Sequence, residues 1–168
     1  MSEQDSYSTR IYTVPFVAFP VSTTSASFFD LWAGTATTVG RVELKEVNIG
    51  QLSTNVTGNQ QLNVQIYRGS TAIGGGAAVT PANLKGWATA PTAGTVMNAP
   101  SSNLSSTVSA QLIIADNTDW SGNWDYSPDD FEEVTMDTGQ AFFVRVSAPP
   151  TLTYLSGTLK FKEVTKLK

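Results

Sequence analysis

The sequence predicts an all-β fold, an antiparallel β-sandwich built as one domain. Three observations point there. Apolar and polar residues alternate with a period of two in segment after segment. Clusters of Gly, Pro, Asn, Asp and Ser separate those segments. No stretch shows the 3.6-residue apolar period of an amphipathic helix. The bulk composition agrees: 168 residues suit one domain, 40% hydrophobic residues suffice for a core, and only 14% are charged.

Taken in order, the first segment is the exception. "RIYTVPFVAFPVSTTS" has strand-type residues interrupted by Pro15 and Pro20. Proline donates nothing to a ladder, so this piece fits an edge strand or an extended arm better than a central strand; residues 1–24 are expected as an extended arm and residues 25–168 as the sandwich. The aromatic and aliphatic side chains of this segment need burial, and where the domain itself does not cover them a neighbouring subunit must. "GRVELKEVNIGQL" (40–52) comes next. Val42 and Leu44 are apolar at even positions, Val47 and Ile49 at odd ones. A single long strand with one extra residue near Lys45–Glu46 accounts for the switch, as a β-bulge shifts the pleat by one. The alternative is one helical turn in "VELKEV".

Clean alternation follows at Leu62, Val64 and Ile66, at Val108, Ala110, Leu112 and Ile114, and at Phe142, Val144 and Val146. In the last segment Leu155, Gly157, Leu159 and Phe161 share one face, with Lys160 and Lys162 on the other. The stretches 74–78 and 86–104 read as long loops, which in a compact domain serve function or are ordered by a partner. Roughly eight to ten strands joined this way suggest a jelly roll, with a closed barrel as second choice.

The chemistry is bounded by what is missing. With no Cys and no His, disulfides, thiol nucleophiles, the usual zinc sites and imidazole acid–base catalysis are excluded. A net charge of −4 argues against a nucleic-acid partner. No apolar run approaches the ~20 residues that span a membrane. "MSEQDSYSTR" does not have the layout of a secretory signal. Charge is segregated: residues 86–144 hold eight of the 14 acids and no Lys or Arg, while Lys160, Lys162, Lys166 and Lys168 crowd the C-terminus. The two regions are candidates to attract each other within a chain or between copies.

The segment "NTDWSGNWDY" (117–126) raises two chemical readings. Asn117, Asp119, Ser121, Gly122 and Asp125 fit a calcium loop until Pro128 stands where a bidentate Glu belongs. Trp120, Trp124 and Tyr126 share a parity, so on a strand they line one face, either stacking on sugars or packing a core edge or interface. Asp129, Asp130, Glu132 and Glu133 contain carboxylate pairs, but adjacent acids are ordinary in solvated loops. No catalytic set emerges, no cofactor is implied, and the chain is not expected to be an enzyme.

Five segments in series carry a resemblance: "FFDLWA" (28–33), "RVELKEVNIGQLS" (41–53), "LNVQIYRG" (62–69), "GQAFFVRVSAPP" (139–150) and "LSGTLKFKEV" (155–164). Together they resemble a family of small jelly-roll proteins from tailed-phage structural gene clusters, the head decoration or cement proteins. The likeness covers about residues 25–165 and leaves out the N-terminal arm. It implies a virion protein on the outer surface of the capsid that binds the major capsid protein and bridges neighbouring capsomers, as a homotrimer. On that footing Tyr12, Phe16 and Phe19 of the arm, Trp120 and Trp124 of the acidic loop, and Lys160 and Lys162 are the expected interface residues. The alternative is a phage tail, receptor-binding or carbohydrate-binding module using Trp120 and Trp124.

Overall fold

The computed structural model describes residues 7–21, 26–32, 39–51, 61–69, 77–84, 96–101, 110–119, 123–129, 133–137, 139–146 and 153–166. Among these residues every regular element is a strand: β1 (Tyr7–Val21), β2 (Ala26–Trp32), β3 (Val39–Gln51), β4 (Gln61–Gly69), β5 (Ala77–Val79), β6 (Ala82–Asn83), β7 (Val96–Ser101), β8 (Ala110–Asp119), β9 (Trp124–Tyr126), β10 (Val134–Met136), β11 (Ala141–Val146) and β12 (Thr153–Lys166). They form two six-stranded antiparallel sheets. In the first, β9 and β10 lie end to end along β3, followed by β12, β1 and β6; the second runs β5-β7-β2-β11-β4-β8. One apolar core joins the inner faces: Tyr12, Val42, Leu44, Val47, Ile49, Leu159 and Phe161 from the first sheet meet Val64, Ile66, Phe142, Val144 and Val146 from the second.

The parity switch in β3 is a bulge. Lys160 of β12 pairs with Glu46 and Phe161 with Leu44, so Lys45 is the unpaired extra residue. It lets Val42 and Leu44 before it, and Val47 and Ile49 after it, all face the core. The helical-turn alternative does not occur. Between β10 and β11, Gln140 N–H donates to the Asp137 carbonyl at 3.0 Å and Gly139 has φ +81°. Those two features are what a type II turn requires of its fourth and third residues.

The expectation of an N-terminal arm is corrected. Residues 7–21 form β1, paired with β12 from Tyr7↔Lys166 to Val21↔Thr153, and Tyr12, Val14 and Phe16 lie in the core. The prolines fit because β6 covers the far flank of β1 only at Tyr12 and Thr13, leaving Pro15 and Pro20 beyond its reach. A second bulge follows Phe16: its partner is Gly157, whereas Phe19 pairs with Leu155. Ala18 within it has φ +52°, and its N–H donates to Ser156 Oγ at 3.0 Å. The loop reading of 74–78 and 86–104 is amended as well, since β5 overlaps the first and β7 lies in the second.

Candidate functional site

The expected interface residues divide sharply once placed. Tyr12 is fully buried, its ring stacked on Phe161 with centroids 5.2 Å apart, and Phe16 is only 4% exposed. Neither presents a docking surface, because alternation on β1 turns both inward over β12. The backbone of Phe19 continues β1 opposite Leu155; its side chain, like all of Trp120, lies outside the described residues.

Trp124 is 5% exposed. β9 pairs it with Ile49, which faces the core, so Trp124 and Tyr126 are the inward positions of that short strand. The two rings stack at 6.4 Å, and Trp124 Nε1–H donates to Asp116 Oδ2 at 3.1 Å. That bond ties an edge of the first sheet to β8, the edge of the second. The Tyr126 hydroxyl in turn accepts the Val134 N–H at 3.3 Å, which connects β9 to β10. A buried, hydrogen-bonded indole cannot stack on a sugar, so the carbohydrate reading loses Trp124.

Lys160 and Lys162 are rungs of an ion-pair ladder on the outer face of the first sheet. Lys160 Nζ lies 2.5 Å from Glu46 Oε2, and Lys162 Nζ 2.9 Å from Glu43 Oε2. Glu43 is almost fully buried and also meets Arg41 Nε at 2.7 Å and Lys45 Nζ at 3.6 Å. Lys45 reaches on to Glu133, just ahead of β10. Burial opposes ionisation of Glu43, but the Lys162 hydrogen bond and the charges of Lys162, Arg41 and Lys45 outweigh it and hold the carboxyl below its ordinary value. The bulged Lys45 thus gains a purpose: it aims its ammonium at both Glu43 and Glu133. Of the C-terminal lysines, Lys160 and Lys162 are paired with carboxylates of β3, whereas Glu133 of the acidic segment pairs with Lys45 of β3.

The calcium reading also falters. Asn117 and Asp119 sit in β8 opposite Asn63 and Gln61, so the first three positions of the supposed loop are strand. Among the described residues no group of three or more carboxylates is placed to hold a metal. Of the four carboxylates considered for hydrolysis, Glu133 is committed to Lys45, Asp129 is exposed, and Asp130 and Glu132 lie outside the described residues.

The surfaces left unsatisfied are different ones. Leu112 and Ile113 are adjacent and exposed on the edge strand β8, and Val17 in the β1 bulge is 77% exposed. Asp125 and Asp129 are exposed at the free edge formed by β9. Arg145, the one charge in the strand "AFFVRV", is half-buried on the outer face of the second sheet. Its isolation in an apolar strand was the available sequence signal. The network around Glu43 had none until the register of β3 and β12 was known.

No protein-family model, no curated protein and no solved structure matches the chain.

Proposed function

We propose that this chain is a non-enzymatic virion protein: a jelly-roll decoration, or cement, protein that binds the outside of a tailed-phage capsid, contacts the major capsid protein and bridges neighbouring capsomers as a homotrimer. The observation that carries the reading is where the five family-like segments fall. They coincide with β2, β3, β4, β11 and β12, which are immediate neighbours within the sheets: β3 beside β12, and β2 beside β11 beside β4. The likeness therefore covers a connected block of framework, as a shared fold would.

Strand order supports the jelly-roll part. With the short β5, β6 and β7 set aside and β9 and β10 counted as one edge strand, the sheets become β1-β12-β3-β9/β10 and β2-β11-β4-β8. In chain order this is first-eighth-third-sixth facing second-seventh-fourth-fifth, two interlocked Greek keys. Jelly rolls serve viral shells, lectins and cupins alike, so the architecture does not choose the role; the resemblance does. The three inserted strands widen both sheets at the β1 and β2 edges, which enlarges the surface offered to neighbours. Many copies docking at once make modest contacts per copy sufficient.

The test is binding to shells. Tailed-phage heads assembled without this chain should co-sediment it to saturation, with many copies per particle, and imaging should place the added density on the outer capsid surface. Density confined to the tail, or no co-sedimentation, overturns the reading.

A further inference from the structure

We infer that Arg145 is the receiving half of a head-to-tail contact between copies of this chain, taking the carboxylates of Asp125 and Asp129 from the acidic edge of a neighbour. Phe142, Val144 and Val146 of β11 point into the core, so alternation puts Ala141, Phe143 and Arg145 on the opposite face. Ala141 and Phe143 are fully buried there although they stand outside the core cluster. Arg145 is therefore drawn partly out of water beside an apolar surface. Its Nε is buried and has no hydrogen-bond partner. Its neighbours across the ladder are Gln65 and Ser27, both neutral, and Gln65 Oε1 already accepts the Tyr67 hydroxyl at 3.0 Å.

Five other cations among the described residues are engaged. Arg41, Lys45 and Lys162 meet Glu43, Lys160 meets Glu46, and Arg68 reaches Gln111 Oε1 at 3.4 Å. A partly desolvated guanidinium is costly until it is paired, and although its Nε is closed off, the planar fork of its remaining donors suits a carboxylate. The chain itself offers unused carboxylates. Asp125 on β9 and Asp129 after it are exposed, and neither has an ion pair among the described residues. Asp125 pairs with Asn48 on the first sheet, whereas Arg145 is on the outer side of the second. With sheets packed ~10 Å apart, the two patches of one copy face away from each other. Two different patches meeting between copies make a heterologous contact, the kind that builds a ring when the rotation between copies closes, as in a trimer.

This deepens the proposed self-association and rests on that part of it, but it is tested on isolated protein, so it can fail while capsid binding stands. Sedimentation velocity over a concentration series should show reversible association at about 0.1 M salt that weakens at about 1 M, where the screening length falls from ~10 Å to ~3 Å. Arg145→Glu, and separately the pair Asp125→Lys with Asp129→Lys, should each raise the dissociation constant on the order of tenfold or more. Combining all three should restore association. Arg145→Gln, which keeps size and removes charge, should weaken it too and serves if the reversal disturbs folding; circular dichroism reports on that. A wild-type chain monomeric throughout, association unchanged by Arg145→Gln, or a folded triple variant that does not associate overturns the inference. Shell co-sedimentation of Arg145→Gln measures the capsid reading independently.

Discussion

Replacing Tyr12 with Phe should stabilise this protein, against the usual direction of core substitutions. Tyr12 is fully buried and its hydroxyl has no hydrogen-bond partner. A buried hydroxyl without a partner costs about 1–3 kcal/mol by protein mutational measures. Phe keeps the ring, and with it the 5.2 Å stack on Phe161 and the packing under β12. The void left by one oxygen is about 10 Å³, which at ~24 cal/mol per Å³ returns only about 0.2 kcal/mol. The net expectation is a gain of about 1–2.5 kcal/mol. For a domain of this size that is a rise in Tm of roughly 2–10 °C, read by calorimetry or thermal circular dichroism at pH 7. A fall in Tm of more than about 2 °C refutes the reasoning, because it means that the hydroxyl has an acceptor, such as a buried water, whose loss outweighs the desolvation relieved.

Other substitutions test other parts of the scaffold. Gly157→Ala should cost about 3 kcal/mol or more in urea unfolding, since an added Cβ overlaps the Asn48 carbonyl oxygen and falls 2.8 Å from Phe16 Cζ, so β3 and β12 must part; a loss under about 1 kcal/mol means that the strands yield easily. Glu43→Gln should cost about 2 kcal/mol at pH 7, below the roughly 3–5 kcal/mol of a fully buried pair because Arg41 is 56% exposed. The folded-state pKa of Glu43 is lowered, so its contribution is complete above the ordinary carboxylate range and is lost as pH falls through the folded value. Unfolding followed from pH 5 downward should accordingly be less pH-dependent in Glu43→Gln than in wild type. Deleting residues 1–22 should unfold the domain: it removes Tyr12, Val14 and Phe16, each worth about 1.5–3 kcal/mol of burial, against a total stability of about 5–15 kcal/mol. A cooperative melt in the truncated chain contradicts the placement of β1.

How far the molecule could be read from its sequence depends on whether a feature is local or needs register. The bulge at Lys45 was legible because a one-residue slip exchanges the faces of a strand, and Val42–Leu44 against Val47–Ile49 records that exchange directly. The strands at 62–66, 142–146 and 155–161 were legible for the same reason. β5 and β6 were not, since "AAV" and "AN" are too short to show a period, and partners supply their order. Parity placed Trp124 and Tyr126 on one face of a strand, but only the pairing of Trp124 with Ile49 shows that the face is the inner one. Glu43 looked like one charge among several until β12 brought Lys162 beside it, 119 positions away in sequence.

The misreading of β1 has a physical cause with consequences for function. Proline penalises a strand only where its missing N–H is needed, and a sequence does not reveal which flank of a strand is open. Here β12 takes one flank along nearly the whole strand and β6 takes only Tyr12 and Thr13 on the other. Once residues 7–21 belong to the sheet, Tyr12 and Phe16, which looked like anchors for a partner, become core, and the first and last strands close the first sheet side by side. On the proposed reading, attachment then falls to surfaces that folding leaves unsatisfied among the described residues: the Leu112–Ile113 edge, the β1 bulge carrying Val17, the acids at β9, and Arg145. These differ in charge and lie on different strands, which favours contacts between unlike patches. On the proposed reading, a protein that joins copies through unlike patches can tile a shell while its own core stays closed, and the energetic demand on each contact is small because many act together.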